Sequence, residues 1–344
     1  MIVKKLDIHG DCSHWDQYVF EHDASNVFQL SAWGRAVHNS MGHELFYLYV
    51  EDNGVIKAIL PLIHVKSMLF GNSLISTGFS IGGGPLFDND DALKMLDEEA
   101  IKIASDLGAD NIEYRQMNKC HSDWPIKDTT YSTFRKELSA DHDENMLAIP
   151  RKQRAMVRKG IKFELKYEID EDIDRLYHLY ALSVRNLGTP VFPKSLFKEL
   201  KKQYGDKCEV LTVISPEGEA ISSVMSFYFK NEVVPYFGGG GFSARKYAAN
   251  DFMYWSLMEH SVETHNSTLF DFGRSKNGTG AFNFKKNWGF TPTPLEYEYY
   301  LKDGGEIPEV NPLNPKYQLM IKTWQKLPLP IAKLIGPMVA KSLG

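Results

Sequence analysis

The chain has 344 residues, 43% of them apolar and 24% charged, with a formal net charge of −5. Such a length suits two domains of roughly 150 residues and excludes one ordinary compact domain, while the composition excludes a disordered chain. The acidic total gives no general attraction to nucleic acid, so any polyanion has to be bound by a local basic patch.

In chain order, residues 46–50, the turn Glu51-Asp52-Asn53-Gly54 and residues 55–65 read as a β-hairpin, because Asn-Gly accepts positive φ at both central positions. The triplet Gly78-Phe79-Ser80 follows in a glycine-rich segment. Leu93, Leu96, Ala100, Ile103, Ala104 and Leu107 then form the apolar stripe of a helix, which leads into a strand over residues 111–115. Residues 141–166 read as a helix crossing between domains, capped by Asp141 or Asp143 and kinked or restarted by Pro150. The segment Arg185-Asn186-Leu187-Gly188-Thr189-Pro190 stops a short helix.

Residues 210–214, the turn Ser215-Pro216-Glu217-Gly218 and residues 219–229 read as a second hairpin. Gly241-Phe242-Ser243 follows, then a helix with Phe252, Trp255, Leu257, Met258 and Val262, then a strand over residues 269–273. The hairpin turns, the Gly-Phe-Ser triplets and the closing strands recur at about 160 residues, as a duplicated domain requires. Strand–strand–helix–strand order implies a mixed sheet with a crossover helix. The fold class expected is α/β (α+β): two tandem acetyltransferase-like (GNAT-like) domains with mixed sheets, linked by a basic helix. The boundaries expected are 1–145, 146–302, and a tail over 303–344 with Pro308, Pro312 and Pro315 in its linker.

Function-like residues are densest in Asp271-Phe272-Gly273-Arg274-Ser275-Lys276-Asn277-Gly278-Thr279-Gly280. A strand end opens there into a glycine-bearing loop whose amides and cations, Arg274 and Lys276 with Ser275 between them, suit an anion. On the basic stretch, Arg151, Arg154 and Arg158 share one helical face and suit phosphates. From Arg151 to Lys166 there are seven cations and one acid. Arg185 and Thr189 are candidates for lining an acceptor pocket. Arg245 and Lys246 precede a helix N-terminus and are candidates for holding the anionic part of a co-substrate. Tyr236 and Asp251 flank the second glycine-rich segment.

Phe284-Lys285-Lys286-Asn287-Trp288-Gly289 matches a Phe-Lys-x-x-Phe/Trp-Gly signature. With the acidic strand and the glycine-bearing loop before it, this stretch resembles the FemAB family of aminoacyl and acyl transferases. Asp271-Phe272-Gly273-Arg274-Ser275-Lys276 and Asn186-Leu187-Gly188-Thr189-Pro190 look like the branch associated with exosortase and exopolysaccharide gene clusters, and the basic helix is similar as well. The resemblance spans about residues 25–300. It implies transfer of an acyl group from an acyl thioester or aminoacyl-tRNA to an amine or hydroxyl of a cell-envelope precursor. Lys285 would steady the oxyanion, with Asp271, Tyr236 or water taking the acceptor's proton. Two features depart from related enzymes: the long coiled-coil arm is missing, and so is the Arg/Gln-x-x-Gly-x-Gly/Ala loop that binds acetyl-CoA.

No permanently bound cofactor is expected; acyl-CoA or aminoacyl-tRNA would be a co-substrate. The partners expected are a phosphate-bearing small molecule or lipid-linked sugar precursor, a tRNA acceptor end, and weak inner-membrane contact through the apolar, basic tail. Cys12, Cys120 and Cys208 form no disulfide framework, and neither a signal core nor a spanning segment is present, so a cytoplasmic location is expected. Competing chemistries are weaker. Gly78-Phe79-Ser80-Ile81-Gly82 fits the G-x-S-x-G hydrolase elbow, but Gly83-Gly84-Pro85 blocks the helix that elbow needs. The eleven histidines show no metal-binding spacing, so no metal is expected, and there is no P-loop. The main rival is a duplicated fold without catalysis that binds a polysaccharide intermediate or a protein partner.

Overall fold

The computed structural model describes residues 1–67, 70–308 and 315–344; Pro312 of the expected linker lies outside them. The chain divides into two compact units. One comprises Met1–Thr129, Leu295–Pro312 and Met338–Gly344, the other Thr130–Pro294 and Leu313–Pro337.

From the N-terminus the elements are β1 (Ile2–Lys5), α1 (Ser13–Glu21), α2 (Ser31–Met41), β2 (Glu44–Asp52), β3 (Val55–Ser67), β4 (Gly71–Ser76), β5 (Leu86–Phe87), α3 (Asp90–Leu107), β6 (Asn111–Tyr114) and β7 (Ile126–Lys127). Next come β8 (Tyr131–Glu137), α4 (His142–Ala148), α5 (Arg151–Lys162), β9 (Lys166–Ile169), α6 (Asp174–Leu187), α7 (Lys194–Tyr204), β10 (Cys208–Ile214), β11 (Ala220–Phe229) and β12 (Glu232–Gly240). The chain continues through α8 (Ala244–Tyr247), α9 (Ala249–His265), β13 (Leu269–Asp271), β14 (Ser275–Lys276), α10 (Gly280–Asn287), β15 (Pro292–Pro294), β16 (Tyr297–Leu301), α11 (Pro315–Lys326) and α12 (Leu329–Ala340).

The first sheet runs β1-β2-β3-β4-β6-β16-β7, and the second runs β14-β8-β13-β12-β11-β10-β9. Both are mixed: β4 and β6 pair in parallel, as do β12 and β13, whereas their neighbours pair antiparallel. Read from β1 and from β9, the two sheets have the same strand order, so the duplication expected from the sequence extends to sheet topology. The strand beside the parallel pair is exchanged in each. In the first sheet β6 takes β16, from beyond the second unit's main segment, with Glu298 opposite Tyr114. In the second sheet β13 takes β8, from the start of that segment, with Asp271 opposite Arg135.

This exchange places the units differently from a division at residue 145. Phe134 and Leu138 belong to the apolar cluster of Phe270, Phe272 and Phe290, so β8 goes with the second unit. Tyr297 and Glu298 pair with β7, so β16 goes with the first. The basic helix, expected to link the domains although it lies inside 146–302, is part of the second unit. A Cβ at Gly160 of α5 would lie 2.7 Å from Phe252 Cβ on α9, so only glycine allows that approach.

The other helices follow their sequence signals. Asp141 caps α4, its Oδ1 accepting from the Asp143 amide at 2.8 Å, and Pro150 separates α4 from α5. Leu96, Ala100 and Ala104 of α3 pack on the first sheet, and Trp255, Leu257 and Met258 of α9 on the second. The glycine run ending β12 serves packing too: a Cβ at Gly239 would fall 2.4 Å from the Leu179 carbonyl oxygen of α6. In the tail, Ile321 of α11 lies against Gly188 and Gly336 of α12 against the Val191 backbone, all within the second unit, while Met338–Gly344 belong to the first. Among the described residues no helix is long and apolar enough to cross a membrane.

Candidate active site

The parallel pairing of β12 with β13 covers only Glu232–Leu269 and Val233–Phe270, after which β13 ends and β12 runs on. The register of β12 against β11 passes from Pro235 to Phe237, so Tyr236 is a bulged residue just past that pairing. Bulges re-aim side chains and open a sheet locally. The Tyr236 ring lies against Phe227 and Phe237.

Asp271 closes β13. Its Oδ1 accepts from Thr133 Oγ1 at 3.0 Å and from the Gly273 amide at 2.7 Å, an Asx turn that Gly273 allows by taking φ +70°. Arg135 of β8 lies between two carboxylates, its Nη2 donating to Glu232 Oε1 at 2.9 Å and its Nε 3.5 Å from Asp271 Oδ2. Glu232 is 8% exposed. Burial, and then the charge of Asp271, push its carboxyl up against the opposing pull of Arg135. Sequence reasoning missed Glu232 and Arg135; the one available signal was an acid opening the otherwise apolar run Glu232-Val233-Val234.

Lys285 lies on α10, whose start is capped by the Thr279 hydroxyl. Only 9% exposed, it points its ammonium back at the loop, with Nζ donating to the Gly273 carbonyl at 2.8 Å and the Arg274 carbonyl at 3.1 Å. The Phe134 and Phe272 rings flank it, with centroids 5.4 and 5.6 Å away. Burial pushes its pKa down to about 7; the Asp271 charge opposes this and Arg274 adds to it. The structure therefore brings Lys285, Asp271 and Arg274 together, with Lys285 fastening the loop. Arg274 stacks over the Tyr131 ring at 4.6 Å. Ser275 and Lys276 form β14 against β8, with the Ser275 hydroxyl buried and without a hydrogen-bond partner among the described residues.

The rest of the signature is anchored by Asp251 of α9, a residue noted in the sequence only for its position. Asp251 Oδ1 accepts from the fully buried Trp288 Nε1 at 3.1 Å and from Gln153 Nε2 of α5. Burial raises the Asp251 carboxyl while these two donors lower it. The opposite side of α5 is exposed. Arg151, Arg154, Arg158, Lys159 and Lys162 line a shallow groove of about 590 Å³, and none of the three arginines makes a salt bridge among the described residues.

Other candidates have structural neighbours. Arg185 Nη1 donates to the Gln325 carbonyl of α11 at 3.3 Å, whereas Thr189 is exposed. Lys246 contacts Tyr247 Oη at 2.7 Å, and that hydroxyl donates to Glu217; Arg245 is exposed on α8. Ser80 is no nucleophile: it is fully buried, bonded to Thr77 and to the Gly82 carbonyl, and followed by a strand rather than a helix. Spacing alone showed no metal-type cluster, yet the fold assembles two from distant elements: Cys120 with His121 and Glu298, and Glu209 with His260 and His265.

Residues 148–286 match the acetyltransferase (GNAT) domain family. No curated protein sequence matches the chain. Among solved structures, FemX is similar at a TM-score of 0.67 and 16% identity, covering 93% of this chain and 100% of that one. L-PGS from Bacillus licheniformis is similar at 0.55 and 13%, covering 92% and 98%. A tandem GNAT protein from the clavulanic acid biosynthesis pathway is similar at 0.57 and 9%, covering 89% and 99%. The chain accordingly has a tandem GNAT fold, with the acetyltransferase domain match lying in its second unit.

Proposed function

We propose that the chain is a FemAB-like acyl or aminoacyl transferase acting on a phosphate-bearing cell-envelope or exopolysaccharide precursor. The observation that carries this is the α5 groove, where three arginines without acidic partners lie on a domain that matches acetyltransferases. Unpaired guanidiniums suit the phosphates of a lipid-linked sugar or of a tRNA acceptor end. An acceptor amine or hydroxyl would attack the carbonyl carbon of an acyl thioester or aminoacyl ester. The carbon–sulfur or carbon–oxygen bond to the donor then breaks, and the acceptor's proton leaves through Asp271 or Tyr236. An ammonium has three donors; two on Lys285 hold the loop, leaving one for the developing oxyanion. Arg245 and Lys246 would meet the donor's phosphates. Ile331, Leu334 and Met338, exposed on α12, would give weak contact with an anionic inner-membrane surface.

The test is turnover by the purified chain with acyl-CoA and with aminoacyl-tRNA, using lipid-linked sugar phosphates as acceptors and reading the product by mass. In the Arg154→Ala/Arg158→Ala double variant, KM for the acceptor should rise at least about tenfold and become less salt-dependent. Phosphate-ligand binding without turnover for either donor would favour a non-catalytic duplicated fold. Indifference to the double substitution would remove the groove from the site.

A further inference from the structure

Glu209 on β10 and His260 and His265 on α9 meet at the end of that helix. Glu209 Oε2 is 2.8 Å from His260 Nε2, and Glu209 Oε1 is 3.2 Å from His265 Nε2. Tetrahedral coordination with bonds near 2.0–2.2 Å sets nitrogen and oxygen ligands about 3.3 Å apart. All three ligand atoms here lie within 4.8 Å of one another.

Two details go beyond proximity. The first is His265 Nε2, which is buried and has no hydrogen-bond partner among the described residues despite its 3.2 Å approach to Glu209. It is close to the carboxylate without being aimed along a hydrogen bond, so a cation shared with Glu209 would give that buried nitrogen a partner. The second is the support behind each ring. His260 Nδ1 is 3.4 Å from Thr264 Oγ1, and the His265 ring stacks on Tyr228 with centroids 3.5 Å apart. Ligating histidines commonly have the other ring nitrogen held by a hydrogen bond, as His260 does through Thr264, while the stack fixes the plane of His265.

The geometry points to a binding site for a zinc-class divalent cation formed by Glu209, His260 and His265, with water as the fourth ligand. Two imidazoles and one carboxylate select zinc-like ions over magnesium or calcium, which take oxygen ligands. The site joins β10 to the C-terminal end of α9, a fastening role independent of the transfer chemistry.

The experiment titrates Zn²⁺ into the EDTA-dialysed full chain by calorimetry, follows melting in parallel, and repeats the titration with Mg²⁺. The expected result is one equivalent of Zn²⁺ bound with a raised Tm, and no response to Mg²⁺. His260→Gln and His265→Gln should each weaken uptake at least about a hundredfold, beyond the 10–100-fold cost of losing a supporting contact. Glu209→Gln, which keeps the side-chain shape, should do the same. Melting of each variant in EDTA, compared with the parent, separates lost ligation from lost folding. Cys120→Ser should leave uptake unchanged, which distinguishes this site from the Cys120 cluster. Absence of Zn²⁺ uptake, or uptake undiminished in the His260→Gln/His265→Gln double variant, overturns the assignment.

Discussion

At Lys285, burial outweighs the attraction of Asp271, so an ammonium with an ordinary pKa of 10.5 titrates near 7 in the folded chain. Between those values the unfolded state holds the extra proton, so rising pH stabilises the fold through this group. Lys285→Met lacks that gain. Urea unfolding from pH 7 to pH 10 should therefore show the stability of the parent rising relative to the variant; parallel profiles would mean that the lysine titrates normally. Under the proposed chemistry the same substitution should lower kcat about a hundredfold, the usual effect of removing one oxyanion donor worth about 3 kcal/mol. The loop itself was legible from the sequence, because Asp271, Gly273 and Arg274 are neighbours whose residue types announce a turn with charge. The Glu232–Arg135 contact was not, since its partners are 97 residues apart and only sheet registration joins them.

Three helices share one carboxylate. Asp251 on α9 accepts from Trp288, which follows α10, and from Gln153 on α5, so the signature segment and the basic helix are held to one buried point. Asp251→Ala would leave two buried donors unsatisfied and should cost about 2–4 kcal/mol in chemical denaturation. Asp251→Asn keeps an accepting oxygen and should recover most of that loss; equal damage from both substitutions would assign the effect to charge instead. Helix periodicity gave the apolar face of α3, and Pro150 gave the break before α5, because both are local properties, whereas α9 is buried on several faces. The expected boundary at 145 already put α5 in the second domain, but how it packs there was hidden. It depends on Gly160 meeting Phe252, a contact between positions unrelated in sequence.

The duplication could be read from turns and triplets because each is fixed by a few adjacent residues. Asn53 and Gly54 take φ of 48° and 84°, the conformation their residue types favour. The exchanged strands could not be read, since β8 and β16 are short and nothing within them names their partner. Proline in one exchanged strand should disturb only the sheet that receives it. Tyr300→Pro should lower amide-exchange protection at residues 111–114 at least about tenfold while sparing 269–271, and Lys136→Pro should do the reverse. Loss confined to the sequence-adjacent sheet in either variant would contradict the exchange.

The pairing of β6 with β16 also imposes an order on biosynthesis. Glu298 lies opposite Tyr114, so the first sheet waits for a partner about 180 residues downstream, a delay of roughly 10–40 s at ribosomal speeds. The second sheet has its partner for β13 ready, because β8 has left the ribosome before β13 is made, and it needs no strand beyond β15. The second sheet can therefore be complete before the first, while β6 keeps an unpaired edge that invites aggregation. A nascent chain stalled short of residue 297 is a natural client for a chaperone that covers strand edges.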